Sequence, residues 1–514
     1  MREESIVETS NGSIRGVFAS GVHSFRGVRY GDTTAGKNRF RPPQPAPKWA
    51  GVITALRPGA SAPQLRYPEN TDPFFAWYSQ IETPSEDCLF LNVFTPELRR
   101  GRRPVMVWIH GGGWYCYAGT APGFDGTALA RGEDVVVIAI NHRLGVFGHL
   151  ALDEGNEVFA DSGNVGLLDV VAALCWVRDN AAAFGGDPAN VTIFGESGGG
   201  SKVAALLAMR RAEGLFHRAI VQSSGSGMKL ADESEAKVAA DGLRKALGIA
   251  NLAPEVMQSL SMDDILAATK LAKGPFRGMI DGRSFNRHPY ENTAPSAARD
   301  IPLMIGHTLT EGTYYMRGDP RNFTLELAEV RRRLARFLEI EPAKVDEIIA
   351  AYRAEYPAAT PSQLLFLSFS DFMFARNTYH IAELQSASAN APVFTYCFSW
   401  RTPIEGGRMG SPHTCEVPFI FGTTNAASAC VGDGPDLQIM TERMMASWAA
   451  FARTGSPCNA ALPAWEPFDR DSRGVMILDN SSRMARDPGG AARATMDSLP
   501  HFGYGHSIPA VLGA

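Results

Sequence analysis

The residues around Ser197 have the types and the spacing that covalent acyl transfer requires. An apolar, β-branched run at 191–194 leads into G-E-S-G-G at 195–199 and then into a helix-like segment at 202–209. A serine hydroxyl is a poor nucleophile unless a sharp turn lifts it clear of the backbone and a base lies beside it. Because glycines two residues before and two after Ser197 leave room for that turn, the segment predicts a strand, a nucleophile elbow and a helix.

A second glycine motif, H-G-G-G at 110–113, follows another apolar run at 105–109. Acyl transfer builds negative charge on the carbonyl oxygen, and backbone N–H groups can stabilise that charge. Successive glycines let the main chain bring two such donors to one point. A plain glycine turn after a strand is the alternative, but the elbow downstream favours an oxyanion hole. We predict that its donors are the N–H groups of Gly112, Gly113 and Gly198.

Apolar runs that favour strands alternate with segments of helical periodicity along the chain. The strand runs are Leu89–Thr95, Pro104–His110, Asp134–Ile140, Asn190–Phe194, Ala219–Ser223, Pro302–Ile305 and Pro392–Phe398. Between two of them, residues 165–177 have apolar positions close to a 3.6-residue period. This alternation predicts an α/β fold with a mostly parallel sheet and helices on both faces. Strand signals before residue 50 predict a small antiparallel piece at the edge, and the absence of a linker pattern predicts a single domain, 1–514.

Composition excludes several classes of function. The 514 residues include 49 basic and 54 acidic ones, for a net charge of −5, so nothing favours binding to nucleic acid. The sequence has no run of about 18 consecutive apolar residues, so we expect no membrane span. The acids Glu3 and Glu4 occupy a region that is basic in a signal peptide. The seven cysteines are an odd number without C-x-x-C spacing, so a zinc site has no support. Acyl transfer to a serine needs neither a metal nor an organic cofactor, and we expect none. The prediction is a cytoplasmic protein.

Longer strings of residues extend these two motifs into a family resemblance that covers nearly the whole chain. They are ETSNGSIRG at 8–16, FRGVRY at 25–30, RFRPP at 39–43, SEDCLFLN at 85–92, NHRLG at 141–145, NVGLLD at 164–169 and FGGDP at 184–188. With the two glycine motifs, they resemble the type-B carboxylesterase/cholinesterase family, in particular its bacterial carboxylesterases. The resemblance implies the α/β-hydrolase fold.

A base and an acid must accompany the serine, but the residues alone do not select them from eleven histidines and many acids. The family resemblance implies Glu311, in the E-G that ends segment 301–312, and His413, which precedes a stretch ending in Phe-Gly. His307, four residues before Glu311, is the competing histidine. In the implied triad His413 takes the proton of Ser197, and Glu311 holds the imidazole in the required tautomer.

The resemblance also suggests pocket residues. Aromatic residues crowd into 74–78, and Trp77 lies near the position where cholinesterases bind a quaternary ammonium by cation–π attraction; packing against the body of the protein is the alternative. We expect Trp114 to help form the pocket wall. Glu196 precedes the serine, as is typical of the family, and either contacts substrate or serves as a structural hydrogen-bond partner.

Two departures from the family pattern have physical consequences. Gly198 stands where the family commonly has alanine, which either loosens the oxyanion hole or makes space for a bulkier acyl group. Secreted relatives bridge the cysteine equivalent to Cys88, whereas the partner position here is Ala62. We therefore expect the intervening loop to lack a disulfide and to have more conformational freedom.

The predicted activity is hydrolysis of a small-molecule carboxylic ester through an acyl-enzyme on Ser197. The same triad could act instead on a carbamate, an amide or a xenobiotic ester, with only the pocket differing. A non-catalytic, cholinesterase-like adhesion module is the alternative from another class. The presence of all three triad residues and H-G-G-G argues against that module.

Overall fold

One mixed sheet of thirteen strands organises the part of the chain that the computed structural model describes, residues 3–65, 72–152, 157–225, 227–272, 274–388 and 390–502. The strands are β1 Glu3–Thr9, β2 Gly12–Ala19, β3 Val22–Arg29, β4 Val52–Thr54, β5 Phe90–Thr95, β6 Arg103–Ile109, β7 Val136–Ile140, β8 Gly186–Glu196, β9 Arg218–Gln222, β10 Leu303–Thr308, β11 Val393–Phe398, β12 Gly474–Leu478 and β13 Arg483–Arg486. Their order in the sheet is β1-β2-β3-β5-β7-β6-β8-β9-β10-β11-β12-β13, with β4 paired to β2.

Seven adjacent strands, from β7 through β6 and β8 to β12, run parallel. All seven predicted strand runs are present, with ends that differ by a few residues. The predicted N-terminal antiparallel piece is β1–β3, and it extends the central sheet because β3 pairs with β5. The α/β fold prediction is confirmed. Strands β12 and β13 were not predicted, since short apolar runs near the C-terminus do not distinguish a strand from a buried helix segment.

Helices cover both faces of the sheet. The α-helices are α1 Ala76–Ser79, α2 Thr127–Glu133, α3 Gly145–His149, α4 Val165–Asn180, α5 Gly198–Ala208, α6 Glu233–Leu247, α7 Pro254–Ser259, α8 Met262–Thr269, α9 Gly312–Met316, α10 Leu327–Leu338, α11 Pro342–Glu355, α12 Pro361–Ser370, α13 Arg376–Ser388, α14 Val417–Phe421, α15 Ser428–Val431, α16 Asp436–Thr454 and α17 Gly490–Ala494.

Alternation along β6 divides the core into two layers. Val105 and Val107 pack with side chains of α4 and α5, whereas Met106 and Trp108 pack with those of α14 and α16. Successive strand residues point to opposite faces, so a fully buried strand is apolar at every position. Burial of each such side chain contributes about 1.5–3 kcal/mol to stability. The rigid sheet between these layers is what holds the loops at its edge.

Helix α4 is tied to the sheet by a buried ion pair. Asp169 on α4 accepts from the Arg143 guanidinium at 2.6 and 2.8 Å and from the Arg143 backbone N–H at 3.0 Å. Both side chains are at most 2% exposed. The helical run Glu157–Phe184, which contains α4, has the length and composition of a membrane span, and 72% of its most apolar window is buried inside the fold. Packing on the sheet accounts for its apolar composition.

Candidate active site

Five neighbouring strands end at one edge of the sheet, and the loop after each brings a functional group to the same place. The groups are the glycines 112 and 113 after β6, Ser197 after β8, Ser223 after β9, Glu311 after β10 and His413 in the longer segment after β11. The carboxyl ends of parallel strands are the usual location of binding sites in α/β folds.

Ser197 stands in a sharp turn between β8 and α5. Its backbone angles, φ 57° and ψ −122°, lie in a region that residues other than glycine rarely adopt. An added Cβ would lie 2.6 Å from the Ile109 carbonyl oxygen at Gly195 and 2.0 Å from the same oxygen at Gly199. The flanking glycines are therefore required by the close approach of β6, and the predicted strand–elbow–helix arrangement is present.

His413 connects the serine to an acid. Its Nε2 lies 2.9 Å from Ser197 Oγ, and its Nδ1 lies 2.5 Å from Glu311 Oε2. A carboxylate at Nδ1 fixes the tautomer that carries its proton there, so Nε2 is left to accept the serine proton. The competing His307 is directed elsewhere, with Nδ1 at 3.0 Å from the Thr308 carbonyl oxygen. The structure thus brings together Ser197, His413 and Glu311.

Glu311 is held in its charged form by a set of donors. Its Oε1 accepts from Ser223 Oγ at 2.7 Å and from the Thr308 backbone N–H at 2.8 Å. Although burial opposes ionisation, His413 and these donors together lower the pKa of Glu311. Ser223 was missed in the sequence, since a lone serine after a strand has no distinguishing pattern.

Two further buried glutamates, Glu196 and Glu416, lie near these three residues, and their pKa values are raised where that of Glu311 is lowered. Glu196 Oε1 lies 3.2 Å from His413 Nε2, and burial together with the charge of Glu311 raises the pKa of Glu196 well above its usual value. Burial, Glu196 and Glu311 likewise raise the pKa of Glu416 to about 8. One carboxylate charge is retained at the imidazole because three buried charges so close together would repel each other.

The predicted oxyanion loop is a tight turn built from glycines in the left-handed region. Gly112 has φ 83° and Gly113 has φ 63°, and the Gly112 carbonyl accepts from the N–H groups of Tyr115 and Cys116 at 3.1 and 3.2 Å. Gly198 is the first residue of α5, so its N–H has no acceptor within the helix. These glycines line the same cavity as Ser197, which is compatible with their predicted role as donors.

Gly198 does not create spare space. A Cβ at this position would lie 1.9 Å from the Gly113 carbonyl oxygen and 2.4 Å from its carbon. Glycine in place of alanine was expected either to loosen the oxyanion hole or to enlarge the acyl pocket. The structure shows neither, because the Gly113 carbonyl of the oxyanion loop occupies the space that an alanine side chain would need.

The cavity beside Ser197 has a volume of about 440 Å³ and a mostly apolar lining that is rich in aromatic residues. Its aromatic lining comprises Trp77, Tyr78, Tyr115, Tyr117, Phe124, Tyr314, Tyr315, Phe374 and Phe502. Trp77 lies in the wall, as predicted. Trp114 is not among the described lining residues; its ring packs instead 5.0 Å from that of His149 and 5.3 Å from Lys202 Nζ.

The loop before Cys88 is held by polar contacts. All seven cysteines are free in the described part of the chain, and burial raises the pKa of the Cys88 thiol. Gln64 fastens the loop to the site by donating to the Tyr117 carbonyl at 3.0 Å and accepting from the Tyr117 N–H at 2.7 Å. The loop's greater freedom stays a prediction, and residues 66–71 lie outside the described ranges.

No cluster of three or more potential metal ligands occurs within the described residues.

Comparison with known proteins identifies the family. The model of the carboxylesterase family matches residues 3–494, and the chain belongs to that family. Para-nitrobenzyl esterase of Bacillus subtilis is 35% identical over 94% of this chain and 96% of its own length. Phenmedipham hydrolase of Pseudarthrobacter oxydans is 35% identical over 94% and 97%.

Solved structures agree with this assignment. A Geobacillus stearothermophilus carboxylesterase superposes with a TM-score of 0.82 at 35% identity, covering 95% of this chain and 99% of its own. A Clostridium hathewayi esterase described as hydrolysing aliphatic aromatic polyesters gives 0.81 at 29% identity, covering 97% and 100%. The protein is a serine carboxylesterase with the α/β-hydrolase fold, which leaves the adhesion-module alternative without support.

Proposed function

We propose that this enzyme hydrolyses carboxylic esters through a Ser197–His413–Glu311 triad and an acyl-enzyme intermediate. The observation that carries the proposal is the continuous hydrogen-bond chain from Ser197 Oγ through both imidazole nitrogens of His413 to Glu311. The oxyanion glycines line the same cavity, so a carbonyl carbon in contact with Ser197 can have its oxygen beside their N–H groups.

The chemistry follows from this arrangement. His413 takes the proton of Ser197 as Oγ attacks the ester carbonyl, and the charge on the tetrahedral intermediate is stabilised by the N–H groups of Gly112, Gly113 and Gly198. The imidazolium then protonates the leaving alcohol as the ester C–O bond breaks. Water, activated by the same His413, attacks the acyl-enzyme; the acid leaves, and Ser197 regains its proton.

The cavity supports a substrate with an apolar, aromatic portion. Its aromatic walls remove apolar surface from water and offer ring contacts of about 0.5–1.5 kcal/mol each. The names of two relatives, para-nitrobenzyl esterase and phenmedipham hydrolase, agree with aromatic or xenobiotic substrates. We propose aryl and benzyl esters as the preferred class, with Trp77 and Glu196, which line the cavity, as the substrate-side candidates.

Pre-steady-state release of p-nitrophenol from its butyrate ester tests the mechanism. We expect a burst equal to the concentration of active sites in the wild type and none in Ser197→Ala. Ser368→Ala is the matched control, because this buried hydroxyl donates to the Leu364 carbonyl on its own helix, α12. Equal, burstless hydrolysis by the wild type and Ser197→Ala contradicts the proposal.

Competition between an ester, a carbamate and an amide that carry the same aryl group tests the substrate class. Burst followed by rapid turnover is expected only with the ester, whereas faster turnover of the carbamate or amide would favour the alternative. The cytoplasmic location and the absence of nucleic-acid and membrane partners stay predictions.

A further inference from the structure

A lysine is buried directly beneath the oxyanion loop. Lys202 lies on α5 and is 1% exposed, and no ion pair within the described part of the chain includes it. Its Nζ donates a 2.8 Å hydrogen bond to the carbonyl oxygen of Gly113. Lysine is almost never fully buried without a charged partner, so this position requires a specific explanation.

Gly198 and Lys202 act on the same peptide group. They lie four residues apart on α5 and so occupy one face of the helix. The Gly113 carbonyl rests against the Gly198 backbone, where an added Cβ would meet its oxygen at 1.9 Å, and it accepts the hydrogen bond of Lys202 from the next turn. Gly198 leaves space for the Gly113 carbonyl, and Lys202 attracts that carbonyl through its hydrogen bond.

The groups that face Lys202 do not neutralise it. They are the Trp114 ring, the imidazoles of His110, His142 and His149, and the thiol of Cys116. Burial, followed by the charge of Lys202, lowers the pKa of His110 to about 3 and that of His142 well below its usual value. Burial also lowers the pKa of His149 to about 3. With these imidazoles neutral, the Gly113 carbonyl is the dipole positioned to stabilise the Lys202 ammonium.

The oxyanion loop needs such an anchor. Gly112 and Gly113 both occupy left-handed conformations, and glycine loses more conformational freedom on folding than any other residue. Oxyanion donors act through preorganisation, so a loop free to move loses transition-state stabilisation. Fixing the Gly113 carbonyl limits rotation of the peptide group between Gly113 and Trp114 and of the one before it, between Gly112 and Gly113.

We propose that Lys202 is a positioning residue for ester hydrolysis, which anchors the Gly113 carbonyl and so holds the oxyanion glycines in place, while Gly198 provides the clearance that this anchoring requires. The inference rests on the proposed function of the loop. It assigns Lys202 no contact with substrate and no proton-transfer step.

Lys202→Met tests the anchor because it keeps the length and the apolar stem and removes the donor. We expect kcat for p-nitrophenyl butyrate to fall about 10–100-fold, with KM within about twofold and a burst that still equals the active-site concentration. Affinity for a trifluoromethyl ketone, whose adduct carries an oxyanion, should fall by the same factor. Exposed Lys229 provides the control, Lys229→Met, with kcat within about twofold of the wild type.

Lys202→Gln is a second variant, which retains a donor on a shorter side chain and should lose less activity than Lys202→Met. A pH series adds a readout that a merely structural role would not move. Burial lowers the pKa of Lys202 to about 7, and a neutral amine is a weaker donor than an ammonium. The ratio of wild-type to Lys202→Met kcat should therefore decline between pH 6 and pH 9.

A double-mutant cycle tests the pairing with Gly198. Gly198→Ala should lower kcat about 10²–10³-fold in the wild type, as the loss of an oxyanion donor does, and about tenfold or less in Lys202→Met, where the loop can move away. Additive effects, or an unchanged kcat per titrated site in Lys202→Met, overturn the inference. A wild type without a burst would instead contradict the proposed function.

Discussion

Ser223 Oγ donates a 2.7 Å hydrogen bond to Oε1 of Glu311, while the other carboxylate oxygen of Glu311 accepts from His413 Nδ1. The acid of the proposed triad is thus held through both of its carboxylate oxygens. A glutamate has one more rotatable bond than an aspartate, and the Ser223 contact removes the freedom that this bond would otherwise give.

Ser223→Ala should shift the pH dependence of activity. Loss of a donor to the charged form raises the pKa of Glu311, so the acidic limb of the kcat/KM profile should move to higher pH. At pH 8 we expect kcat to fall about tenfold, the effect of one hydrogen bond to a charged group. Profiles with p-nitrophenyl butyrate measure both. Ser368→Ala is the control, and an acidic limb that does not move in Ser223→Ala would rule out this role.

Trp77→Leu should weaken recognition of aromatic esters selectively. The ring forms part of the cavity wall and is 2% exposed. Loss of an aromatic contact should raise KM for benzyl acetate about 3–10-fold, the equivalent of about 0.5–1.5 kcal/mol. KM for ethyl acetate, which has no aromatic ring, should stay within about twofold. A similar rise for both esters would show that Trp77 supports the fold and not the specificity.

Glu416→Gln should change how stability depends on pH. Glu416 has a folded-state pKa of about 8 against an ordinary value of 4.5. Between these values the folded state keeps a proton that the unfolded state releases, so wild-type stability falls as pH rises through this window. Glutamine does not titrate. The free energy of unfolding of Glu416→Gln relative to the wild type should therefore rise by roughly 3–4 kcal/mol between pH 5 and pH 8.

Urea unfolding at four pH values in that range measures the difference. Exposed Glu466→Gln serves as the control and should keep the wild-type pH dependence. A constant difference between Glu416→Gln and the wild type would mean that Glu416 is ionised in the folded state at neutral pH.

Asp169→Asn should destabilise the fold strongly. It leaves the Arg143 guanidinium buried without its counter-charge, which typically costs about 3–5 kcal/mol. The exposed pair Arg178–Asp179 provides a matched comparison, and Asp179→Asn should change the free energy of unfolding by less than about 0.5 kcal/mol. Urea midpoints of both variants check this. Similar losses in the two would contradict the importance of burial.

Much of the framework was predictable because it depends on local patterns. Strand runs next to turn residues located seven strands. The glycine spacing around Ser197, together with the strand run before it, the helix-like segment after it and the second glycine motif, indicated the elbow. Glu311 and His413 were different, since they come together only when distant strands pair. Their selection required the family resemblance, because a single histidine carries no periodic signal.

The supporting residues could not be predicted for a related reason. The side chains of Ser223 and Lys202 each donate one hydrogen bond, to partners 88 and 89 residues away in the chain. A hint existed for Lys202, since a lysine interrupts an otherwise small and apolar helix, 198–208. Trp114 shows the converse: it follows the oxyanion glycines directly, yet the turn at Gly112 sends its ring behind the wall.

The distribution of the site over five strands has a consequence for biosynthesis. Ser197 and His413 are separated by 216 residues, so a chain still on the ribosome contains the nucleophile long before its base emerges. A chain that ends before His413 lacks the proposed base, so we expect its Ser197 hydroxyl to be unreactive towards esters. Because these contacts are far apart in sequence, we expect hydrolytic competence to appear only after β11 and the segment that carries His413 have joined the sheet.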